Sequence, residues 1–162
     1  MEPICKNSPN IFGLIHETKV DNIVKILLSG YLHTMEELAE MGETSTGGLS
    51  DKPINSLYQR VNQFNGVYMR IIDIHMVGLS SPMPNLIFSK ALLDRKDAHF
   101  NPNDSFGFLG EFSLMPSQIN NVKNIAEDQN EIVFHNKVSI RYLEKILLPK
   151  KYLPKLKRYL KI

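Results

Sequence analysis

An acid opens one of the most strand-like runs of the chain, since Glu131 stands directly before Ile132, Val133 and Phe134. β-Branched and aromatic residues in a short run predict a buried strand. A charged residue at the end of such a strand is usually solvated, and Glu131 would then have no chemical task. An acid held at the mouth of a cleft can instead take part in catalysis. The run by itself leaves both interpretations open.

Three other residues with functional side chains fall on predicted strands. His16 ends the apolar run 11–15, and a second strand over residues 66–72 contains Tyr68 and Arg70. Because side chains alternate across a strand, Tyr68 and Arg70 share one face. Taken singly, such a histidine usually makes a structural hydrogen bond, such a tyrosine usually packs, and such an arginine is usually solvated.

The elements that must position these residues follow from the pattern of apolar residues. The run 11–15 leads into an amphipathic helix that Thr18 or Asp21 can cap and Gly30 can end. The predicted apolar stripe of this helix consists of Val20, Ile23, Val24, Leu27 and Leu28. Further strands at 66–72, 86–89 and 131–134 are separated by loops rather than by regular crossover helices. This order argues against a doubly wound parallel sheet and predicts an α+β domain with a cleft.

Length and composition narrow the class of protein. A chain of 162 residues, 43% of them hydrophobic and 22% charged, is typical of one globular, soluble domain. No apolar run approaches the roughly 20 residues that span a bilayer, and the first ten residues lack the apolar stretch of a signal peptide. The single cysteine, Cys5, excludes an internal disulfide and fits a reducing compartment. We therefore expect an intracellular protein, cytoplasmic or, if viral, in the host cytoplasm or nucleus, with no membrane partner.

The sequence lacks the motifs of several common enzyme classes. There is no phosphate-binding Gly-Lys-Ser/Thr loop, no glycine fingerprint for a dinucleotide, no His-Glu-x-x-His and no Gly-x-Ser-x-Gly. His75, His99 and His135 are scattered without the spacing of metal ligands. We predict no metal.

Positive charge is concentrated at the C-terminal end. Residues 141–162 contain eight Lys or Arg against one acid, whereas the whole chain has a net charge of +2. Leu153, Leu156 and Leu160 recur at helical spacing and predict a basic amphipathic helix over about 141–162. Its charges either form a solvated face or contact the phosphates of a nucleic acid.

Three segments, taken in order, resemble the ADP-ribosyltransferase fold. They are GLIHETKVDNIVKILLSGYL (13–32), GVYMRI (66–71) and QNEIVF (129–134). In that family a His, a Tyr and a Glu on three core strands grip NAD, and the opening segment is most similar to the DNA- and RNA-directed toxin branches. The resemblance implies one domain over 1–162 with a split mixed β-sheet core, flanking helices and an NAD cleft.

The resemblance also implies roles for the residues of the three segments. Glu131 would be the catalytic carboxylate that stabilises positive charge on the ribose as the bond to nicotinamide breaks. Tyr68 would stack on the nicotinamide, although Tyr58 or Tyr31 remains an alternative. His16 would bond the adenosine-side ribose.

The remaining assignments by resemblance lie near those residues. Main-chain groups beside His16, at Glu17 and Thr18, would hold the carboxamide, and Glu17 stands where the polymerase branch usually has glycine. Arg70 would meet the diphosphate. Ser89 would support the catalytic glutamate, and Gln129, two residues before it, would meet the acceptor.

The predicted function is therefore transfer of ADP-ribose from NAD, a co-substrate, to a macromolecular acceptor with release of nicotinamide. The acceptor is a nucleic acid or a protein, and the basic C-terminal tail is a candidate contact for nucleic acid. Two alternatives stay open. One is an ADP-ribosyltransferase-like protein that binds NAD or nucleic acid without turnover, and the other is a non-catalytic interaction protein.

Overall fold

The computed structural model describes residues 11–42, 66–73, 82–101 and 131–161. The strands in this part of the chain are β1 Ile11–Glu17, β2 Tyr31–Leu32, β3 Val67–Asp73, β4 Asn85–Phe88, β5 Ala98–Asn101, β6 Glu131–Phe134, β7 Val138–Ser139 and β8 Leu143–Leu147. They form two sheets, one with six strands in the order β5-β6-β3-β1-β4-β8 and one that pairs β2 with β7. Each of the described pairings is antiparallel. The predicted α+β class is confirmed.

Few helices flank the sheets in the described residues. The α-helices are α1 Val20–Ser29, α2 Met35–Glu40 and α3 Leu153–Leu160, and short 3-10 helices cover Lys90–Asp94, Ile140–Tyr142 and Lys150–Tyr152. The sequence pattern also predicts a short helix over 54–64 and a weak strand within 106–115, and both ranges lie outside the described residues.

Helix α1 ends as predicted but begins differently. Gly30, with φ of 79°, terminates it through a left-handed conformation. The N-cap is Lys19, which makes no side-chain capping bond, so the prediction of Thr18 or Asp21 as cap is wrong. Asp21 lies inside the first turn, and its carboxylate accepts hydrogen bonds from Lys155 Nζ at 2.8 Å and Tyr159 Oη at 3.0 Å.

Helix α2 went unpredicted although the sequence contains its signal. The Thr34 side chain accepts from the Glu37 backbone N–H, and the Glu37 carboxylate accepts from the Thr34 backbone N–H at 3.0 Å. This reciprocal arrangement is a capping box, and its Thr-x-x-Glu spacing is visible in the sequence.

The six-stranded sheet buries apolar residues on both faces. One face packs against α1, and its cluster includes Leu14, Ile23, Phe88, Phe134 and Leu156. The opposite face carries a smaller cluster of Ile15, Ile72 and Ile87, with Phe12 packed against it. Alternation along β1 thus assigns neighbouring residues to different clusters, which fixes the register of the sheet.

The C-terminal segment corrects the predicted helix over 141–162. Residues Leu143–Leu147 form β8, an edge strand paired with β4, and the α-helix begins only at Leu153. Pro149 and Pro154 explain the late start, because proline lacks the N–H that a helix interior requires and fits only its first turn. Of the three predicted apolar positions only Leu156 is buried, while Leu153 and Leu160 are exposed.

A charged network joins the turn before β5 to the turn after β6. The Arg95 Nε donates to Asp97 Oδ1 at 2.7 Å, and Asp97 Oδ2 accepts from the Asn136 backbone N–H at 2.9 Å. Burial alone would raise the pKa of Asp97, but the hydrogen bonds from Arg95 and Asn136 outweigh it and lower the pKa to about 2. The ionised carboxylate therefore stabilises the fold.

We expect Asp97→Asn to lower the free energy of unfolding at pH 7 by about 2 kcal/mol, the equivalent of the pKa shift. Because the pKa is lowered on folding, this contribution is present above pH 3.8 and disappears as the pH falls toward 2. Urea unfolding at several pH values should show the two proteins converging in acid. The control is Glu144→Gln, at an exposed acid of β8, and an equal loss there would contradict the prediction.

Candidate functional site

The three strands predicted to carry the site are neighbours in the six-stranded sheet, in the order β6-β3-β1. The Arg70 position of β3 pairs with Ile15 of β1 on one side and with Glu131 of β6 on the other. Neighbouring strands lie about 4.8 Å apart, so the backbone of Glu131 is about 10 Å from β1. His16, Tyr68, Arg70 and the backbone of Glu131 therefore occupy one region of the sheet.

His16 is fixed by a hydrogen bond to the main chain of Tyr68. Its Nδ1 lies 2.8 Å from the Tyr68 carbonyl oxygen. A carbonyl can only accept, so Nδ1 carries the hydrogen and Nε2 keeps a lone pair when the ring is neutral. Burial lowers the pKa of His16, against the opposing effects of the Tyr68 bond and the Glu17 charge. The ring is thus a neutral imidazole with an acceptor at Nε2.

Pairing between β1 and β3 stops where this imidazole lies. Ile15 and Arg70 are the last paired positions toward the end of β1. The Thr18 N–H donates to the Pro84 carbonyl at 3.0 Å, which directs the main chain of Thr18 toward the β4 side. Main-chain groups of successive strand residues point to opposite sides, so those of Glu17 point toward β3. Glu17 and His16 together border the place where the two strands separate.

Thr18 belongs to the turn between β1 and α1. It is buried, and its hydroxyl accepts from Asn22 Nδ2 at 3.4 Å. Its N–H bonds the Pro84 carbonyl, so this donor of Thr18 is not available to a ligand.

Tyr68 and Arg70 lie on the same face of β3, as predicted. Both are partly buried, whereas the alternating residues Val67, Met69 and Ile71 are buried in the core. Tyr68 pairs with Val133 of β6, and the next position in that row is His99 of β5. The two proposed ligand-binding side chains of β3 therefore face away from the main core.

Tyr31 and Tyr58 were the alternatives to Tyr68 as the residue that stacks on nicotinamide. Tyr31 lies in β2, beyond the ten residues of α1, which at 1.5 Å per residue span about 15 Å. Its ring contacts Lys137 Nζ at 4.7 Å, so the structure does not bring Tyr31 to His16. Tyr58 lies outside the described residues, as does Gln129, the predicted acceptor contact.

Ser89 lies at the opposite end of β1 from the His16 region. Phe88, the residue before it, pairs with Leu14, whereas His16 pairs with Leu86. The Ser89 hydroxyl accepts from the Ala91 N–H at 3.3 Å and caps the 3-10 helix Lys90–Asp94. Ser89 is thus an N-cap, and its support of Glu131 stays a prediction.

A buried polar residue that the sequence reasoning missed is Asn85. It pairs with Glu17 across β1 and β4 and is 3% exposed. In the sequence it precedes the apolar run 86–88 as a single polar residue after Pro84, a position typical of solvated strand ends. No spacing signal distinguishes it.

Neither a membrane span nor a metal cluster occurs in the described ranges. None of the helices there is long and apolar enough to cross a membrane. Within the same ranges no three His, Cys, Asp or Glu side chains form a group that could hold a metal ion.

Comparisons with known proteins place the fold. A model described as "Family of unknown function (DUF5863)" matches residues 11–150. The search of curated proteins gave no match. The solved structure "Thermosipho africanus DarTG in complex with ADP-ribose" is similar over 93% of this chain, with a TM-score of 0.62 and 15% identity. This chain spans 47% of that one. The likeness confirms the predicted ADP-ribosyltransferase-like α+β fold and, at this identity, shows the fold alone.

The His16 contact yields a prediction with a matched pair of variants. Asn has its amide nitrogen near the position of Nδ1, so His16→Asn should keep the bond to Tyr68 and unfold within about 1 kcal/mol of the unsubstituted protein. His16→Gln should lose that bond and be the less stable variant. Urea unfolding at pH 7.5 makes the comparison, and equal stability of the two variants would contradict the assigned Nδ1 bond.

The pH dependence of His16 has a definite sign. Its pKa is lowered on folding, so below pH 6.5 the unfolded chain takes up a proton more readily than the fold does. Stability should therefore fall as the pH drops below 6.5, and less steeply for His16→Asn than for the unsubstituted protein. Urea unfolding across this pH range measures the two slopes, and parallel slopes would contradict the prediction.

Proposed function

The chain belongs to the family of unknown function DUF5863, and we propose that it is an ADP-ribosyltransferase that takes ADP-ribose from NAD. The observation that carries this proposal is the Nδ1 hydrogen bond of His16 to the Tyr68 carbonyl at the place where β1 and β3 separate. It leaves a neutral Nε2 acceptor beside two strands that carry a tyrosine, an arginine and a glutamate.

The NAD ligand would use both main-chain and side-chain groups around this separation. His16 Nε2 would accept a hydrogen bond from a hydroxyl of the adenosine-side ribose. The main-chain groups of Glu17, directed toward β3, would hold the nicotinamide carboxamide. Tyr68 would supply an aromatic face for the flat nicotinamide, and Arg70, on the same face, a bidentate donor for the diphosphate.

Glu131 would act on the bond that breaks. The bond between the ribose C1 atom and nicotinamide breaks with its electron pair moving to the ring nitrogen, which neutralises the pyridinium and leaves positive charge on the ribose. A carboxylate that accepts a hydrogen bond from a ribose hydroxyl stabilises this charge. The acceptor nucleophile then bonds to C1 and gives up its proton.

The structural likeness adds support of a general kind. The similar solved structure was determined in complex with ADP-ribose, the moiety that this reaction would transfer. A non-catalytic protein of the same fold that binds NAD or a macromolecule remains the second candidate, and turnover separates it from the first.

The basic C-terminal helix would contact the acceptor. Lys155 of α3 pairs with Asp21 at 2.8 Å, only five residues after His16, so α3 is anchored near the start of α1. The Leu156 side chain of the same helix is buried in the core. Exposed cations of this segment are Lys150, Lys151, Lys157, Arg158 and Lys161. They suit the phosphates of a nucleic-acid acceptor held near the NAD site.

The test of the main proposal combines binding and turnover. Millimolar NAD should raise the melting temperature, since a ligand that binds only the folded form stabilises it. Glu131→Gln removes only the negative charge and should lower nicotinamide release by about 10²–10³, with a much smaller change in NAD affinity. The control is Glu144→Gln, at an exposed acid of β8.

The outcomes separate the two candidates. Unchanged melting with NAD would count against an NAD site altogether. NAD binding without nicotinamide release would favour the non-catalytic protein. Full turnover by a folded Glu131→Gln protein would remove Glu131 from the catalytic role.

The acceptor site is tested by the salt dependence of binding to a nucleic acid. We expect the logarithm of the affinity to fall linearly with the logarithm of salt concentration. The double variant Lys157→Gln, Arg158→Gln should flatten this slope by about 0.7–0.9 for each phosphate that the helix no longer neutralises. Lys96→Gln, Lys137→Gln removes two exposed charges elsewhere as a matched control. If the affinity does not depend on salt concentration, or if the two double variants change the slope equally, the helix is not part of the acceptor site.

A further inference from the structure

The basic helix α3 already binds one oxyanion, which comes from helix α1. The Asp21 carboxylate accepts hydrogen bonds from Lys155 Nζ at 2.8 Å and from Tyr159 Oη at 3.0 Å. Lys155 and Tyr159 are four residues apart on α3 and are therefore neighbours on its surface. The bonds from Lys155 and Tyr159, together with the nearby charge of Lys25, lower the pKa of Asp21. The two donors of α3 thus converge on a position that favours a negatively charged oxygen.

The contact is exposed, and apolar contacts hold α3 independently of it. The side chains of Lys155 and Asp21 are 46% and 51% exposed. Exposed ion pairs contribute little to stability, because water solvates both charges when they part. Leu156 is buried in the core, and Tyr152 at the start of the helix packs against that core. An anion from outside the chain can therefore replace the Asp21 carboxylate while α3 stays in place.

The surroundings of the two donors suit a phosphate. Arg158 is exposed and lies three residues after Lys155, so it is a further neighbour on the same surface of α3. Lysine, arginine and tyrosine side chains all contact the phosphates of nucleic acids. Residues 145–162 contain no Asp or Glu, so a phosphate that replaces Asp21 meets no acid from this segment.

We propose that Lys155 and Tyr159 form a phosphate-binding subsite, which the Asp21 carboxylate occupies until a phosphodiester of the nucleic-acid acceptor replaces it. The inference rests on the proposed function, since it needs the acceptor to bind along α3. The exchange makes and breaks no covalent bond, because the two donors only change one oxyanion for another. Asp21 is therefore a competitor of the acceptor, and its charge lowers the affinity for nucleic acid.

The experiment measures binding of a short mixed-sequence DNA oligonucleotide, as a single strand and as a duplex. The unsubstituted protein is compared with Asp21→Asn, with Lys155→Gln and with the double variant. Asp21→Asn should bind the DNA up to about fivefold more tightly, the effect of one exposed ion pair that no longer competes. In the Lys155→Gln protein the same substitution should do no more than Glu144→Gln, which removes an equal charge from β8.

The salt dependence identifies the phosphate contact itself. In the Asp21→Asn protein, Lys155→Gln should flatten the salt slope by about 0.7–0.9, the share of one phosphate. Tyr159→Phe keeps the ring, loses only the hydroxyl and should lower the affinity of the Asp21→Asn protein. Urea unfolding verifies that each variant is folded.

Equal gains from Asp21→Asn with and without Lys155 would overturn the inference, because a long-range effect of charge is additive. An unchanged or lower affinity of Asp21→Asn for DNA would also overturn it. NAD affinity should be the same in all variants, and a gain there would assign the phosphate to the dinucleotide instead. If the DNA binds neither the unsubstituted protein nor Asp21→Asn, the proposed acceptor fails and this inference with it. Binding that depends on Lys157 and Arg158 but not on Asp21 overturns the subsite alone.

Discussion

The separation of β1 from β3 beyond Ile15 and Arg70 is the constraint on which the candidate site depends. Where two antiparallel strands part, main-chain groups lose their partners and must find others if they are buried. His16 supplies the partner for the Tyr68 carbonyl, whereas the Thr18 N–H points toward β4 and bonds the Pro84 carbonyl there. The imidazole thus pairs a main-chain carbonyl of β3 at the place where β1 no longer does.

Other parts of the fold hold this opening in place from a distance. The Arg95–Asp97 pair fixes the turn that follows β6, and the Asp21–Lys155 pair fixes the start of α1 against α3. Apolar residues on both faces of the sheet keep its register. Rigid elements that position a small number of polar groups are what an efficient electrostatic site requires, because its groups then need no rearrangement during the reaction.

Sequence reasoning succeeded where the pattern was local. Four of the strands and the end of α1 at Gly30 followed from apolar runs and one glycine, and the order of segments indicated the fold. It failed where long-range pairing decided the outcome, since residues 143–147 became an edge strand through pairing with β4. Asn85 could not be found at all, because its burial is a property of the assembled sheet. The positions of Gln129 and Tyr58 stay predictions.

The contact that orients His16 uses a main-chain atom of Tyr68, which every amino acid possesses. Exchange of the tyrosine side chain leaves that carbonyl in place, so a substitution at position 68 does not change the tautomer of the imidazole. The aromatic ring and the histidine can therefore diverge independently over evolutionary time. Related chains with a different residue at this position would keep the same hydrogen-bond acceptor at Nε2 while changing what packs against the ligand.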